Sequence, residues 1–184
     1  MFDIEETKLK GVKILYPKVH YDIRGSFCKI FDADFFYQND LCQAIQQQFY
    51  TKSYRNVIRG LHFQIPPYNQ YKLVTCISGR IVDVVVDLRQ NSDTYGKYIM
   101  VSLTNDLSLY IPPGIAHGFV VRSEETILLY NVDTFSPNHD KGIHYDSLGI
   151  NWQVDIRKRI ISERDINLPK FEDFVTPFVG GKYL

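Results

Sequence analysis

The sequence predicts an all-β domain, a closed barrel or two-sheet sandwich with a few short helices. Three observations carry this expectation. Short runs of β-branched and aromatic residues recur at regular spacing, divided by clusters of Gly, Pro, Asn and Asp. Aromatic residues make up 14 % of the chain, with 13 Tyr and 12 Phe, which suits half-buried pleated surfaces better than helix faces. Alternation also persists where polar groups concentrate: Leu61 and Phe63 fall on one strand face and His62 and Gln64 on the other, while Gln70 and Lys72 alternate with Tyr71 and Leu73. A barrel interior lined by polar side chains is a ligand site rather than a packed core.

The 184 residues, 21.5 kDa, correspond to a single domain over 1–184, long enough to bury its core without disulfides or metal. The 21 Lys and Arg residues balance 21 Asp and Glu, so the positive footprint required by nucleic acid or an anionic membrane is absent. Cys28, Cys42 and Cys76 are odd in number and scattered, which argues against a disulfide framework or a zinc knuckle and fits a cytoplasmic setting. Residues 1–10 are charged and no stretch reaches about 18 uninterrupted apolar residues, so neither a signal peptide nor a membrane span is expected.

In chain order, residues 9–16 alternate as a strand that Pro17 stops. Residues 20–25 have the Asp and Gly of a turn, and 26–31 return to an extended pattern. Residues 34–44 carry Phe35, Phe36, Leu41 and Ala44 at loosely helical spacing. Residues 46–63 are strand-like, with Arg55-Asn56 as a hairpin turn, and the two prolines of 65–69 make a loop. The clearest strand block is 72–77 and 81–89 around Gly79. There Val82, Val84, Val86 and Leu88 share one face, and Asp83, Val85, Asp87 and Arg89 the other. Carboxylates on so apolar a strand need partners if buried, and Arg89 or another basic side chain is the expected partner of Asp87. A turn cluster at 91–96 precedes strands at 98–103, 107–111, 118–121 and 126–132. Gly149-Ile150-Asn151-Trp152 reads as an apolar anchor and Ser162-Glu163-Arg164-Asp165 as a helix start, with the tail of about 150–184 packing back on the barrel.

Pro112-x-Gly114-x-x-His117 resembles the turn by which jelly-roll proteins of the cupin class present a histidine to the barrel mouth. Metal-binding cupins pair it with His-x-His and a Glu. Here the matching position reads His62-Phe63-Gln64, and the next inward polar residue is Lys72, a cation that repels a divalent ion. No metal is therefore expected. A base, an ammonium and a second imidazole suit the removal of a proton beside a carbonyl and the holding of the oxyanion that results.

At this point the chain resembles the dTDP-4-dehydrorhamnose 3,5-epimerases of nucleotide-sugar metabolism. The resemblance spans most of its length, through Asp22-x-Arg24-Gly25-x-Phe27, Arg59-Gly60-Leu61-His62-Phe63-Gln64, Gln70-x-Lys72-Leu73-Val74, residues 83–89, Ser92-x-Thr94-Tyr95-Gly96, residues 111–119, Leu129-Tyr130, Gly149-Ile150-x-Trp152 and Ser162-Glu163-x-Asp165. It implies a jelly-roll homodimer, sharing its N-terminal strands (about 1–30), that epimerises a nucleoside-diphosphate 4-keto-6-deoxy sugar at C3 and C5 without a cofactor. By position, His62 is then the base, Asp165 its orienting carboxylate, Tyr130 the acid, and Lys72 with His117 the donors to the enolate oxygen. Arg59 and Arg24 would meet the diphosphate, and Phe27, Lys29, Gln47 and Phe135 the nucleotide end. Parity puts Arg59 on the face opposite His62, so its role requires a bulge at Gly60.

Two departures fall at the nucleotide end: Lys29 stands where members usually have Glu, and Phe49 where they usually have Asn. They predict weaker discrimination for thymine. The alternatives are an epimerase that stops at C3 or takes a GDP-linked sugar, and a cupin that only binds a sugar nucleotide. Binding alone does not require His62, Lys72, Tyr130 and Asp165 together.

Overall fold

The computed structural model describes residues 1–42 and 44–179. Its strands are β1 (Phe2–Glu6), β2 (Lys13–Pro17), β3 (Val19–Asp22), β4 (Gly25–Cys28), β5 (Gln47–Tyr54), β6 (Ile58–Gln64), β7 (Lys72–Ser78), β8 (Arg80–Asp87), β9 (Tyr98–Thr104), β10 (Ser108–Ile111), β11 (Ile115–Val121), β12 (Glu125–Val132) and β13 (Asp140–Gly142). Two antiparallel sheets hold all but two of them, in the orders β1-β2-β10-β7-β12-β5 and β13-β6-β11-β8-β9, while β3 and β4 form a separate hairpin. Two short helices, α1 (Ala33–Gln38) and α2 (Glu163–Ile166), complete the set together with three single 3-10 turns. No helix among the described residues is long and apolar enough to cross a membrane.

Three apolar clusters follow from the period-2 pattern. Val74, Cys76 and Leu128 of the six-stranded sheet meet Ile81, Val85, Leu103 and Phe119 of the five-stranded sheet between the layers. The outer face of the five-stranded sheet, with Leu61, Phe63, Val84, Val86 and Leu88, packs on Ile143, Trp152 and Phe178 from the C-terminal segment. The outer face of the other sheet carries Phe2, Leu15, Leu73 and Tyr110 under Phe36 of α1. Burying a side chain of this size stabilises by roughly 1.5–3 kcal/mol, so each two-faced strand is held from both sides.

The expected Asp87 partnership is present: Arg89 donates from Nε and Nη2 to the two carboxylate oxygens at 2.8 and 2.7 Å, with Ser92 and Thr94 also donating to Oδ2. Ser162 caps α2 by accepting from the Asp165 amide at 3.1 Å. Elsewhere the structure corrects the reading. Residues 9–12 are a loop, because the Thr7 hydroxyl takes the Leu9 amide and donates to Val12 O, and Gly11 sits at φ +82°. The strand there is only β2, and its neighbour β1 went unread behind three acidic residues. The helix ends at Gln38, with Asn39 capping it and Asp40 at φ +54°; position 43 of the expected span lies outside the described residues. Arg55-Asn56 is a turn, with Asn56 at φ +67°, but it passes the chain from one sheet to the other rather than closing a hairpin.

Candidate active site

β6 and β11 are ladder neighbours, and His62 stands directly opposite His117. From that pair to Phe119 opposite Arg59, the register advances two residues on β11 and three on β6. The extra residue is a bulge. It turns Arg59 to the same side as His62, as the parity argument required, and both line one cavity. Gly60 is the enabling residue: its φ is +122°, and a Cβ there would lie 2.5 Å from Gly118 Cα. No other side chain fits that approach without moving backbone.

The cavity, about 370 Å³, is lined by Gln47, Phe49, Thr51, Arg59, His62, Gln70, Lys72, His117, Phe119, Tyr130, Phe135, Asp140 and Arg164. That volume suits a small organic ligand. The inward face of β5 supplies Gln47, Phe49 and Thr51, and next on that face Ser53 accepts from Arg59 Nε at 3.0 Å. Gln64 and Gln70 brace one rim: Gln64 Oε1 accepts from the Ser136 amide at 2.9 Å, and Gln70 Nε2 donates to Thr134 O, which fixes the loop that carries Phe135.

Behind His62 lies Asp165, 3 % exposed on α2, whose Oδ1 is 2.7 Å from His62 Nε2 and whose Oδ2 accepts from the Gly60 amide at 3.1 Å. Burial pushes this carboxyl up, but the hydrogen bond and charge of His62 and the Gly60 amide outweigh it, and its pKa is lowered. An ionised Asp165 keeps the proton of His62 on Nε2 and leaves Nδ1 as the basic nitrogen. Lys72 is buried, donates to His62 O at 3.3 Å, and is pushed down to about 8 chiefly by burial. His117 Nε2 lies 2.9 Å from Asp83 Oδ2, and burial raises the pKa of that carboxyl. Burial likewise raises the Tyr130 phenol, with the Thr51 hydroxyl pulling the other way.

Of the residues singled out in the sequence, His62, Lys72, Tyr130, Gln47, Arg59, His117 and Phe135 line this cavity, and Asp165 touches it through His62. Arg24, Phe27 and Lys29 do not. Arg24 pairs with Asp22 at 2.5 Å, Lys29 pairs with Asp32 at 3.1 Å, and Phe27 stands 63 % exposed on the hairpin. Sequence reasoning missed Thr51, Asp140 and Arg164 as site residues. Strand parity from Gln47 would have found Thr51. The Arg164–Asp140 contact, 2.6 Å, joins residues 24 apart and leaves no local pattern.

A jelly-roll sandwich with an imidazole–carboxylate pair, a buried ammonium and a phenol around one polar cavity belongs to the acid–base enzymes of the cupin class. The family model for dTDP-4-dehydrorhamnose 3,5-epimerase matches residues 6–173, and the chain belongs to that family. It is 42 % identical over 172 residues to the dTDP-4-dehydrorhamnose 3,5-epimerase of Methanothermobacter thermautotrophicus, covering 90 % of this chain and 92 % of that one. With the enzyme of that name from Shigella flexneri it shares 38 % identity over 93 % of this chain and 97 % of that one. The crystal structure of the Legionella pneumophila dTDP-6-deoxy-D-glucose-3,5-epimerase in complex with dTDP-4-keto-L-rhamnose superposes with a TM-score of 0.90 at 30 % identity, covering 95 % of each chain.

Proposed function

We propose that this chain is a cofactor-independent, cytoplasmic epimerase that inverts C3 and C5 of a dTDP-linked 4-keto-6-deoxy sugar, with 1–184 as one catalytic domain. The observation that carries the reading is the Asp165–His62 contact opening onto the same cavity as Lys72 and Tyr130. His62 Nδ1 takes the proton from the carbon beside the C4 ketone, and the C–H electron pair moves into an enolate. Asp165 stabilises the imidazolium so formed. Lys72, still largely an ammonium at neutral pH because its pKa is about 8, neutralises the enolate oxygen together with His117. Tyr130 returns a proton to the opposite face, after which solvent reprotonates its phenolate and takes the proton held by His62, so that both groups are restored. Arg59 meets the diphosphate, and Gln47 and Phe135 the nucleotide end.

The reading extends to a homodimer. The β3–β4 hairpin joins neither sheet, and Tyr21, Ile23 and Phe27 project from it at 78, 105 and 63 % exposure. β5, whose inner face lines the cavity, is a sheet edge with an unpaired ladder. A second copy that lends its hairpin to this side would bring Arg24, Phe27 and Lys29 to the nucleotide. Neither Lys29 nor Phe49 can accept a hydrogen bond from the base, so preference for thymine is weaker than a carboxylate and an amide would give.

The test is incubation of dTDP-4-keto-6-deoxyglucose with the protein in D2O, following C3 and C5 by NMR. Exchange and inversion at both carbons are expected. Inversion at C3 alone would make it a monoepimerase, and binding without exchange at either carbon would leave only a sugar-nucleotide-binding protein. Sedimentation should give a dimer, and a fully active monomer would remove the shared hairpin from the site.

A further inference from the structure

We infer that Phe49 is a positioning residue for the reprotonation step, its ring holding the Tyr130 phenol in the attitude that delivers a proton to the sugar face opposite His62. The inference rests on the reading of Tyr130 as the acid. Phe49 and Tyr130 are direct partners in the β5–β12 ladder. Their rings stack with centroids 4.9 Å apart and planes 11° from parallel. His117 meets Tyr130 edge-on, with centroids 6.1 Å apart at 71°. The phenol ring is therefore bounded by one stacked ring and one perpendicular ring. The phenol oxygen lies on the χ2 axis of a tyrosine, whose rotation has a broad, soft profile. The two rings therefore fix the ring plane, and with it the direction of the O–H, and by blocking sideways travel about χ1 they fix the position of the oxygen.

Phe49 does not owe this place to the core. It is 41 % exposed, lines the cavity and sits on an edge strand where water could reach it. Ser53, on the same strand face, supports another group, accepting from Arg59 Nε at 3.0 Å. The inner face of β5 thus holds two groups that line the cavity, Arg59 through Ser53 and Tyr130 through Phe49. An acid misaimed by an ångström loses proton transfer to its own face, while His62 still removes the proton and can return it. Loss of the stack should therefore lower inversion relative to exchange, which a general loss of structure would not do.

The experiment measures inversions per solvent-deuterium exchange event at C3 and C5 with the dTDP-linked 4-keto sugar in D2O. Phe49→Ala should lower the ratio about tenfold. Phe49→Leu, which keeps apolar bulk without a flat ring, should stay low, and Phe49→Tyr should restore the ratio. A ratio within about twofold of the unaltered protein in Phe49→Ala or Phe49→Leu, or failure of Phe49→Tyr to restore it, overturns the inference. Tyr130→Phe, run alongside, separates the two failures. If it leaves the ratio unchanged, the assignment of the acid falls and takes this inference with it; if it lowers the ratio while Phe49→Ala does not, only the role of Phe49 is lost.

Discussion

Two imidazole–carboxylate pairs stand side by side on neighbouring strands, and their settings suit them to different work. His62 with Asp165 and His117 with Asp83 have nearly the same contact, 2.7 and 2.9 Å, and the two histidines face each other across the β6–β11 ladder. The difference is in what surrounds them. The His62 side chain is 24 % exposed and its carboxylate has a second donor in the Gly60 amide; the His117 side chain is 5 % exposed, and Asp83 Oδ1 has no hydrogen-bond partner among the described residues. The first carboxyl is held below its ordinary range and the second is pushed above it by burial. A supported, ionised carboxylate can stabilise a new imidazolium, as a base requires. A carboxylate whose charge is disfavoured can only orient a donor.

The largest expected effect separates the two histidines directly. If His62 is the base, as proposed, His62→Ala should abolish exchange and inversion together, a loss of about 10³–10⁴-fold, because no enolate forms without it. His117→Ala should cost about 10²-fold and leave measurable exchange, since on the same proposal it removes one donor to the enolate oxygen while the base remains. Deuterium incorporation at C3 and C5 reads both. Equal losses, or exchange surviving in His62→Ala, would mean the two pairs do not divide the labour in this way.

The division was half legible in the sequence. Period-2 alternation is a local property, so it gave the inward faces of β6 and β7 and even forecast the Gly60 bulge from the position of Arg59. The Asp87–Arg89 pair was visible because its members are two residues apart on one face. What sequence could not give was the sheet to which each strand belongs. The turns at Asn56 and Gly79 look like hairpin turns but pass the chain between layers, so β6 pairs with β11 and β13 rather than with β5. Asp83 was read only as a carboxylate in need of a partner, because His117 arrives from 34 residues away. Asp140, Arg164 and the Phe49–Tyr130 stack are likewise products of that layer assignment.

The next effect tests the charge that both pairs surround. Lys72 is pushed from 10.5 to about 8 by burial, with Asp140 and then Asp83 opposing the shift, so the folded state disfavours its ammonium by roughly 3 kcal/mol. Because the folded pKa lies below the unfolded one, this cost is fully present below about pH 8 and fades as pH rises to 10.5. Lys72→Met should therefore stabilise the protein at neutral pH by about 2–3 kcal/mol, read from urea midpoints, with the gain vanishing at alkaline pH. The same variant should lose about 10²-fold or more in exchange and inversion alike. Activity of the unaltered protein should likewise fall above about pH 8 as the ammonium deprotonates. A destabilised Lys72→Met at pH 7 would mean the ammonium contributes more to the fold than burial takes away.

The smallest effect is the most discriminating, because it sets the two carboxylates against each other in stability alone. Asp165 is ionised more readily in the folded state than in the unfolded chain, so it contributes stability above the ordinary carboxylate range and loses it as pH falls through its lowered pKa. Asp83 has the opposite sign: its raised pKa makes it a cost above the ordinary range, relieved by protonation as pH falls. Asparagine keeps an acceptor oxygen at either position and removes the charge. Asp165→Asn should cost about 1–2 kcal/mol at pH 7, since charge-assisted hydrogen bonds from His62 and the Gly60 amide become neutral ones, and the deficit should persist down to about pH 4 and shrink only below it. Asp83→Asn should be neutral or stabilising by up to about 1 kcal/mol at pH 7, because the bond to His117 can persist while a desolvated charge is gone. Denaturant midpoints of both variants between about pH 2.5 and 7 give the comparison. Parallel losses at pH 7 with the same slope would mean that burial and the Gly60 amide do not distinguish the two pairs, and the base would then have to be assigned by the exchange experiment alone.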